Sequence, residues 1–211
     1  LEEIEAKKFN APYRYTEQYK EMQKELHSHG NYGVAGQQYI PTIFHGIAQL
    51  AKRHGNVTVL DYGSSSGRTM RAVREHMWVP PSVEDFCYDP FVDEFSNEPA
   101  PADFVICTDV MEHVEPECTK AVLDHIASLT KRMVFFSIGM VPAMKTMSDG
   151  RNAHINLHSA EYWIREIKRR FITSEAKLDG TGETLLVVAQ AIDDVENTIR
   201  LRKAEENRKA A

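Results

Sequence analysis

The chain is short of cysteine, of long apolar runs and of positive charge, and each shortage excludes something. Its three cysteines, Cys87, Cys107 and Cys118, are too few and too scattered for a disulfide framework or a metal knuckle. Two of them lie in apolar, strand-like runs where a small buried thiol is common. They point to a reducing, cytoplasmic setting. No stretch approaches the about 20 consecutive apolar residues needed to cross a bilayer, so no membrane partner is expected. Leu1 opens a charged segment rather than a basic and then apolar leader, and a chain that starts without Met reads as trimmed. With 25 basic and 31 acidic residues the formal net charge is −6, so the surface as a whole does not attract polyanions. A local basic groove is compatible with that sum, which leaves a nucleic-acid partner open; the oligomeric state is open too.

What is present is ordinary globular composition, 42% hydrophobic and 27% charged in 211 residues, enough for one domain that buries roughly 70% of its extended surface. Apolar residues at helical spacing run from Leu1 to about Leu26, broken at Asn10-Ala11-Pro12. A second helix follows, with Ile43, Ile47 and Leu50 on one face and an end near Gly55. Then comes an alternation: strand Val57–Leu60, helix Arg68–Met77, strand Val83–Tyr88, strand Asp103–Cys107, helix Pro116–Leu129 and strand Met133–Ile138. Strands interleaved with helices imply an α/β fold, a parallel sheet with helices on both faces. After Ser159, a predicted N-cap, a helix over Tyr162–Arg170 leads into two β-rich runs, Phe171–Leu178 and Glu183–Gln190. Asp179-Gly180-Thr181-Gly182 between them is a hairpin signal. A loop that short joins only antiparallel strands, so the mostly parallel sheet carries a reversed strand at its C-terminal end.

Chemistry concentrates at the strand ends. Asp61-Tyr62-Gly63-Ser64-Ser65-Ser66-Gly67 joins a buried strand to a helix through small residues, a turn that lets a ligand approach the backbone and meet the helix N-terminal N–H groups. Asp89 follows the second strand, where a carboxylate can accept hydrogen bonds from both hydroxyls of an adenosine ribose. Asp109, Glu112 and His113 follow the next strand, and Asp149, Arg151, Asn152, His154 and His158 the one after. Both groups leave C-terminal strand ends, where open α/β sheets bind ligands. His154 would serve as general base on a hydroxyl or amine, Arg151 would hold an acidic group of the substrate and Asn152 would orient it.

From Val57 to about Gln190 the chain resembles the class I S-adenosylmethionine (SAM) dependent methyltransferases. Asp61 to Gly67 is similar to their first motif, acidic-x-Gly-x-Gly-x-Gly, with Ser65 at the middle Gly. Asp109-Val-Met-Glu112-His113-Val is similar to their Asp-Val-Leu-Glu-His-Val, and the terminal hairpin matches their reversed last strand. The resemblance implies a Rossmann-like fold and SAM as cofactor. Asp61 would help hold the amino end of SAM, Gly63, Ser64 and Gly67 would let the backbone close around it, and Asp89 would take the ribose. Pro90 and Phe91 would face the adenine, with Asp109 and His113 near the cofactor. Asp103 follows Asp89 by only 14 positions, too few for the helix and strand that the family places there. The sheet is therefore expected to be shortened between the family's second and fourth strands, with an open adenine side.

The expected plan is a helical attachment over 1–55 acting as a lid, a SAM-binding domain over 56–192 and a charged helix or tail over 193–211. Tyr13, Tyr15, Tyr19, Tyr32 and Tyr39 would cover the cofactor. The expected reaction is methyl transfer to an oxygen or nitrogen of a small or nucleotide-sized acceptor, assisted by His154 or Asp109, with no metal. The motifs for cytosine C5 or exocyclic base amine transfer are missing. Three alternatives stand beside it. Asp109, Glu112, His113 and a later His resemble the metal cluster of small-RNA 3′-terminal 2′-O-methyltransferases, which would make Glu112, His113 and His154 metal ligands. A catalytically silent SAM-binding protein is the second. An NAD-dependent oxidoreductase is the third, disfavoured by the terminal hairpin.

Overall fold

A computed structural model describes residues 14–28 and 35–195. Tyr13, Tyr32 and the tail from 196 onward lie outside the described residues. The helices are α1 (Glu17–Ser28), α2 (Ile40–His54), α3 (Arg68–His76), α4 (Thr119–Leu129) and α5 (Ala160–Lys168). The strands are β1 (Val57–Tyr62), β2 (Val83–Tyr88), β3 (Ala102–Thr108), β4 (Thr130–Gly139), β5 (Phe171–Leu178) and β6 (Thr184–Ala191).

The strands form one sheet in the order β2-β1-β3-β4-β6-β5. The first four are parallel, and β6 lies antiparallel to both β4 and β5. This is the mostly parallel sheet with a reversed terminal strand that the alternation and the hairpin signal imply. The turn works as its residues suggest: the Asp179 carboxylate accepts from the N–H groups of Thr181, Glu183 and Thr184, each at 3.2 Å. Ser159 caps α5 by accepting from the N–H of Tyr162.

Both faces of the sheet are covered. On one side Ile43 and Ile47 of α2 and Met70 and Val73 of α3 pack on Val57, Val59 and Phe104. On the other, Val122, Leu123 and Ile126 of α4 and Trp163 and Ile167 of α5 pack on Leu60, Val105, Val134 and Phe136. Each fully buried aliphatic side chain contributes about 1.5–3 kcal/mol relative to exposure. That burial is why β1, β3 and β4 read as continuous apolar runs rather than alternating ones.

β2 is buried only at its ends, Val83 and Tyr88, because it is the sheet's edge. The link from Asp89 to β3 holds only a 3-10 turn at Asp93–Phe95, so the sheet is shortened as the spacing requires. Arg14, with Glu98 of the link and His125 of α4, closes over Tyr62 and Tyr88 at the ends of β1 and β2. No spacing rule in the sequence joins an arginine at 14 to a glutamate at 98.

Candidate active site

Strand order reverses between β1, which is followed by β2 on one side, and β3 on the other. The loops leaving such a pair diverge and open a crevice at the C-terminal strand ends. Here the crevice is a cavity of 400 Å³, within the size range of small-molecule sites. Asp89, Asp109, Glu112, His113 and His154 all line it, with Gly63, Ser64 and Ser65 at its floor.

The β1–α3 loop is bent by three left-handed residues, Gly63 (φ 73°), Ser65 (φ 49°) and Gly67 (φ 68°). The backbone there explains the glycines of the motif, and Ser65 occupies without glycine a conformation that disfavours a Cβ. Its N–H is anchored by donating to Asp89 Oδ2 at 2.8 Å. The N–H groups of Gly63 and Ser64 both donate to Tyr88 O, at 2.7 and 3.1 Å, and so tie the loop to β2. A Cβ on Gly63 would lie 2.4 Å from Val110 Cγ2; at this position close approach and backbone angle both require glycine. Gly67 lies at the start of α3 and does not line the cavity.

Asp61 lies beneath the loop, 2% exposed, with Oδ2 unpartnered, and also does not line the cavity. Burial first, then the charges of Asp89 and Asp85, push its carboxyl up to about 7. Asp89 is buried as well and accepts from the Phe91 N–H at 2.9 Å through Oδ1. Burial raises its carboxyl, opposed by nearby His27 and by the two N–H donors. Pro90 and Phe91 line the cavity beside it.

Asp109 stands at the end of β3 in the left-handed region, φ 54°, strain that the surroundings must hold in place. Ser137 holds it: the Asp109 N–H donates to Ser137 O at 3.0 Å, and Ser137 Oγ donates to Asp109 Oδ1 at 3.2 Å. Oδ2 is buried and unpartnered. Burial pushes the Asp109 carboxyl up to about 6, against the lowering effect of Ser137. An aspartate with a folded pKa above its unfolded value near 3.9 keeps a proton that the unfolded chain has released, so stability is lost as pH rises through that window. Asp109→Asn does not titrate and is therefore expected to gain on the wild type as pH rises from about 4 to about 7. Thermal unfolding of the two proteins across that range checks it; a constant difference would contradict the buried, unpaired carboxyl.

Glu112 is fully buried, with Oε1 accepting from the Gly139 N–H at 2.6 Å and Oε2 unpartnered. Burial, then the neighbouring Asp109, holds its carboxyl well above the ordinary range. His113 directs Nδ1 at Ala153 O, 2.9 Å away, and His154 directs Nδ1 at Val141 O, 2.6 Å away. A carbonyl accepts only, so each Nδ1 carries the proton and the neutral His154 presents Nε2 as an acceptor. The two rings meet edge to face at 4.7 Å. Burial, then His154, pushes His113 down to about 3.

A Cβ on Gly139 would come within 2.7 Å of Glu112 Oε1 and 3.1 Å of His154 Cε1. The glycine thus keeps open the space between the two side chains. Gly139→Ala is expected to cost about 1–3 kcal/mol by overpacking and to weaken ligand binding in the cavity, measured by thermal unfolding and calorimetry. Unchanged values for both would show that the space is not used.

Arg151 is not brought into the cavity. It is exposed, paired through Nε with Asp149 Oδ2 at 2.7 Å in its own turn, and it lines a separate shallow cleft with Asn152 and Glu117. Asn152 is spent on the backbone of Ala143, bonding both its N–H and its carbonyl. Among the described residues no group of three or more His, Cys, Asp and Glu side chains, Glu112, His113 and His154 included, is placed to hold a metal ion.

Beside Tyr15 and Tyr19, which the sequence places over the cofactor, several residues at or behind the cavity carried no sequence signal. Thr16 starts α1 and gives its N–H and hydroxyl to Glu115, at 2.7 and 2.9 Å, while Tyr19 donates its hydroxyl to His113 O. At the other end of α1, His27 meets Ser65 Oγ at 3.1 Å. Tyr15 and Tyr19 pack edge to face on Phe91. Gly36 sits so close to Thr108 that a Cβ would be 2.4 Å from its hydroxyl. Ser137, a polar residue inside an apolar strand run, stands behind Asp109.

A parallel sheet with a reversed last strand, carrying its cavity at this switch point, defines a Rossmann-like α/β protein of the class I methyltransferase type. The model of a family described as a methyltransferase domain matches residues 35–170, and the chain belongs to that family. No curated protein matches its sequence. Among solved structures it is similar to the 1,6-didemethyltoxoflavin N1-methyltransferase of Burkholderia thailandensis, solved with 1,6-didemethyltoxoflavin and S-adenosylhomocysteine bound. The TM-score is 0.53 at 15% identity, over 82% of this chain and 89% of that one. It is also similar to the CurJ carbon methyltransferase, with a TM-score of 0.51 at 14% identity, over 77% of this chain and 58% of that one. At such identities the likeness is one of fold.

Proposed function

We propose that the chain binds SAM in the 400 Å³ cavity and transfers its methyl group to a nucleophilic atom of a small-molecule acceptor. The observation that carries this reading is the Ser65 loop bound to Asp89 across the switch point, in a chain of the methyltransferase family. The residues fit the cofactor. SAM presents an ammonium, two ribose hydroxyls and a sulfonium, and the cavity wall holds the unpartnered Ser64 hydroxyl beside the buried Asp89 carboxylate. Unpaired buried acceptors are costly until a donor or cation reaches them. When bound, SAM supplies an electrophilic methyl group.

The chain's own residues then have these roles. Gly63, Ser64 and Ser65 let the backbone close on the cofactor. Asp89 uses lone pairs left beside its two backbone bonds for the ribose, with Pro90 and Phe91 at the adenine. Asp109 and His113 lie along the cofactor, and His154 takes a proton from the acceptor at Nε2. Asp61 acts from below the loop and Gly67 through the turn it makes. Helix α1 and the 3-10 turn at Ala35–Tyr39 form the lid expected of 1–55, supported by the Thr16–Glu115 and His27–Ser65 contacts at its two ends. Three cysteines, none of them in a disulfide, support a reducing, cytoplasmic setting. Among the described residues no helix is long and apolar enough to cross a membrane.

Incubation with methyl-labelled SAM and separate pools of small hydroxyl and amine compounds and of RNA tests the reading. Label is expected in a small-molecule pool. Label in RNA alone, or tight SAM binding with label in no pool, would contradict it.

A further inference from the structure

Asp109 Oδ2 and Glu112 Oε2 are buried with no partner and are acceptors when ionised, the form that a cation beside them favours, and His154 Nε2 is an acceptor in the tautomer that Val141 O fixes. They are held close together. Ser137 and Gly139, neighbours at the end of β4, fix Asp109 and Glu112, and Glu112 and His154 flank the point where a Gly139 side chain would begin. The charge of the wall has the same sense. Among the described residues Asp89, Asp109, Glu112, Glu115 and Glu183 line the cavity against Arg14 and Lys145 as fixed cations, and Arg14 is paired with Glu98.

We propose that this end of the cavity is the acceptor subsite and that it selects an amine, so that the protein is an N-methyltransferase of a compact, amine-bearing molecule. The inference rests on the methyltransferase reading above. A primary ammonium supplies three N–H donors to the three acceptors. A neutral hydroxyl supplies one donor, and a carboxylate or phosphate supplies none and meets like charge. Val141, Ala143 and Met144 on the loop after β4 line the same cavity, and Met144 is fully exposed. They give the acceptor's body an apolar, adaptable wall.

The step balances. The bound ammonium gives one proton to His154 Nε2, whose Nδ1–H remains on Val141 O. The freed nitrogen lone pair forms the bond to the methyl carbon as the carbon–sulfur bond breaks. That bond pair stays on sulfur, which becomes a neutral thioether, and the positive charge passes to the methylated nitrogen. Asp109 and Glu112 face that charge before and after transfer.

The test uses the protein saturated with S-adenosylhomocysteine, whose own ammonium then occupies the cofactor site. Benzylamine, benzyl alcohol and benzoate, one body with three head groups, are titrated calorimetrically. Benzylamine is expected to bind about tenfold tighter than benzyl alcohol, the worth of one charge-assisted hydrogen bond, with benzoate weakest. The preference is expected to fall severalfold in both Asp109→Asn and Glu112→Gln, each of which keeps its Ser137 or Gly139 contact. Equal or tighter binding of the alcohol or the acid, an amine preference unchanged in both variants, or no benzylamine binding at millimolar concentration would overturn the proposal. Binding of S-adenosylhomocysteine is measured first; its failure removes the methyltransferase reading itself, whereas the other outcomes leave that reading standing.

Discussion

Asp89→Ala is expected to weaken SAM and S-adenosylhomocysteine binding about a hundredfold, the loss of roughly two charge-assisted hydrogen bonds. The carboxylate has two tasks at once. It presents acceptors to the ribose, and it fixes the Ser65 and Phe91 N–H groups at 2.8 and 2.9 Å. Asp89→Asn keeps one carbonyl oxygen, so it accepts from only one side and is expected to lose less than the alanine variant. Calorimetric titration of the three proteins checks the order. An alanine variant that binds as the wild type does would show that the cofactor lies elsewhere.

Gly63→Ala is expected to cost about 2–4 kcal/mol of stability, the sum of left-handed strain and overpacking. For a domain of this size that is a fall of roughly 5–15 °C in melting temperature. The two causes separate in a double variant. Val110→Ala removes the carbon that a Cβ at position 63 would meet at 2.4 Å, so Gly63→Ala with Val110→Ala is expected to recover the overpacking part and keep the strain at φ 73°. Thermal unfolding of the single and double variants measures this. A single variant as stable as the wild type would contradict the close approach of the loop to Val110.

Much of the fold was legible because its determinants are local. The apolar runs at 57–60, 103–107 and 133–138 are buried strands, the Asp179 to Gly182 stretch is the hairpin loop, and Ser159 caps its helix. The missing elements between Asp89 and Asp103 were legible as a length that could not hold them. The reversed strand followed from loop length alone. What was not legible depends on contacts between distant residues. Arg14 with Glu98, and Thr16 with Glu115, join positions 84 and 99 apart, and such pairs carry no periodic signal.

The site shows the same division. The loop at 63–67 and Asp89 were visible because strand–turn–helix chemistry constrains them locally, and Ser65 proved to be left-handed in the place where a glycine is usual. Asp109, Glu112, His113 and His154 were visible as residue types, and the structure gathers them at one cavity. Arg151 was visible as a cation near that group, but its own turn satisfies it first: Asp149 lies two residues away and takes the guanidinium. Gly139 carried no sequence signal, since only the arrival of Glu112 and His154 from two other segments makes its missing side chain matter.

Which cofactor enters the cavity at the switch point separates the methyltransferase from the oxidoreductase most directly. Calorimetric titration of the wild-type protein with S-adenosylhomocysteine and, separately, with NAD decides it. The account predicts one-to-one binding of S-adenosylhomocysteine and no measurable binding of NAD. Binding of NAD, or of neither, would contradict it.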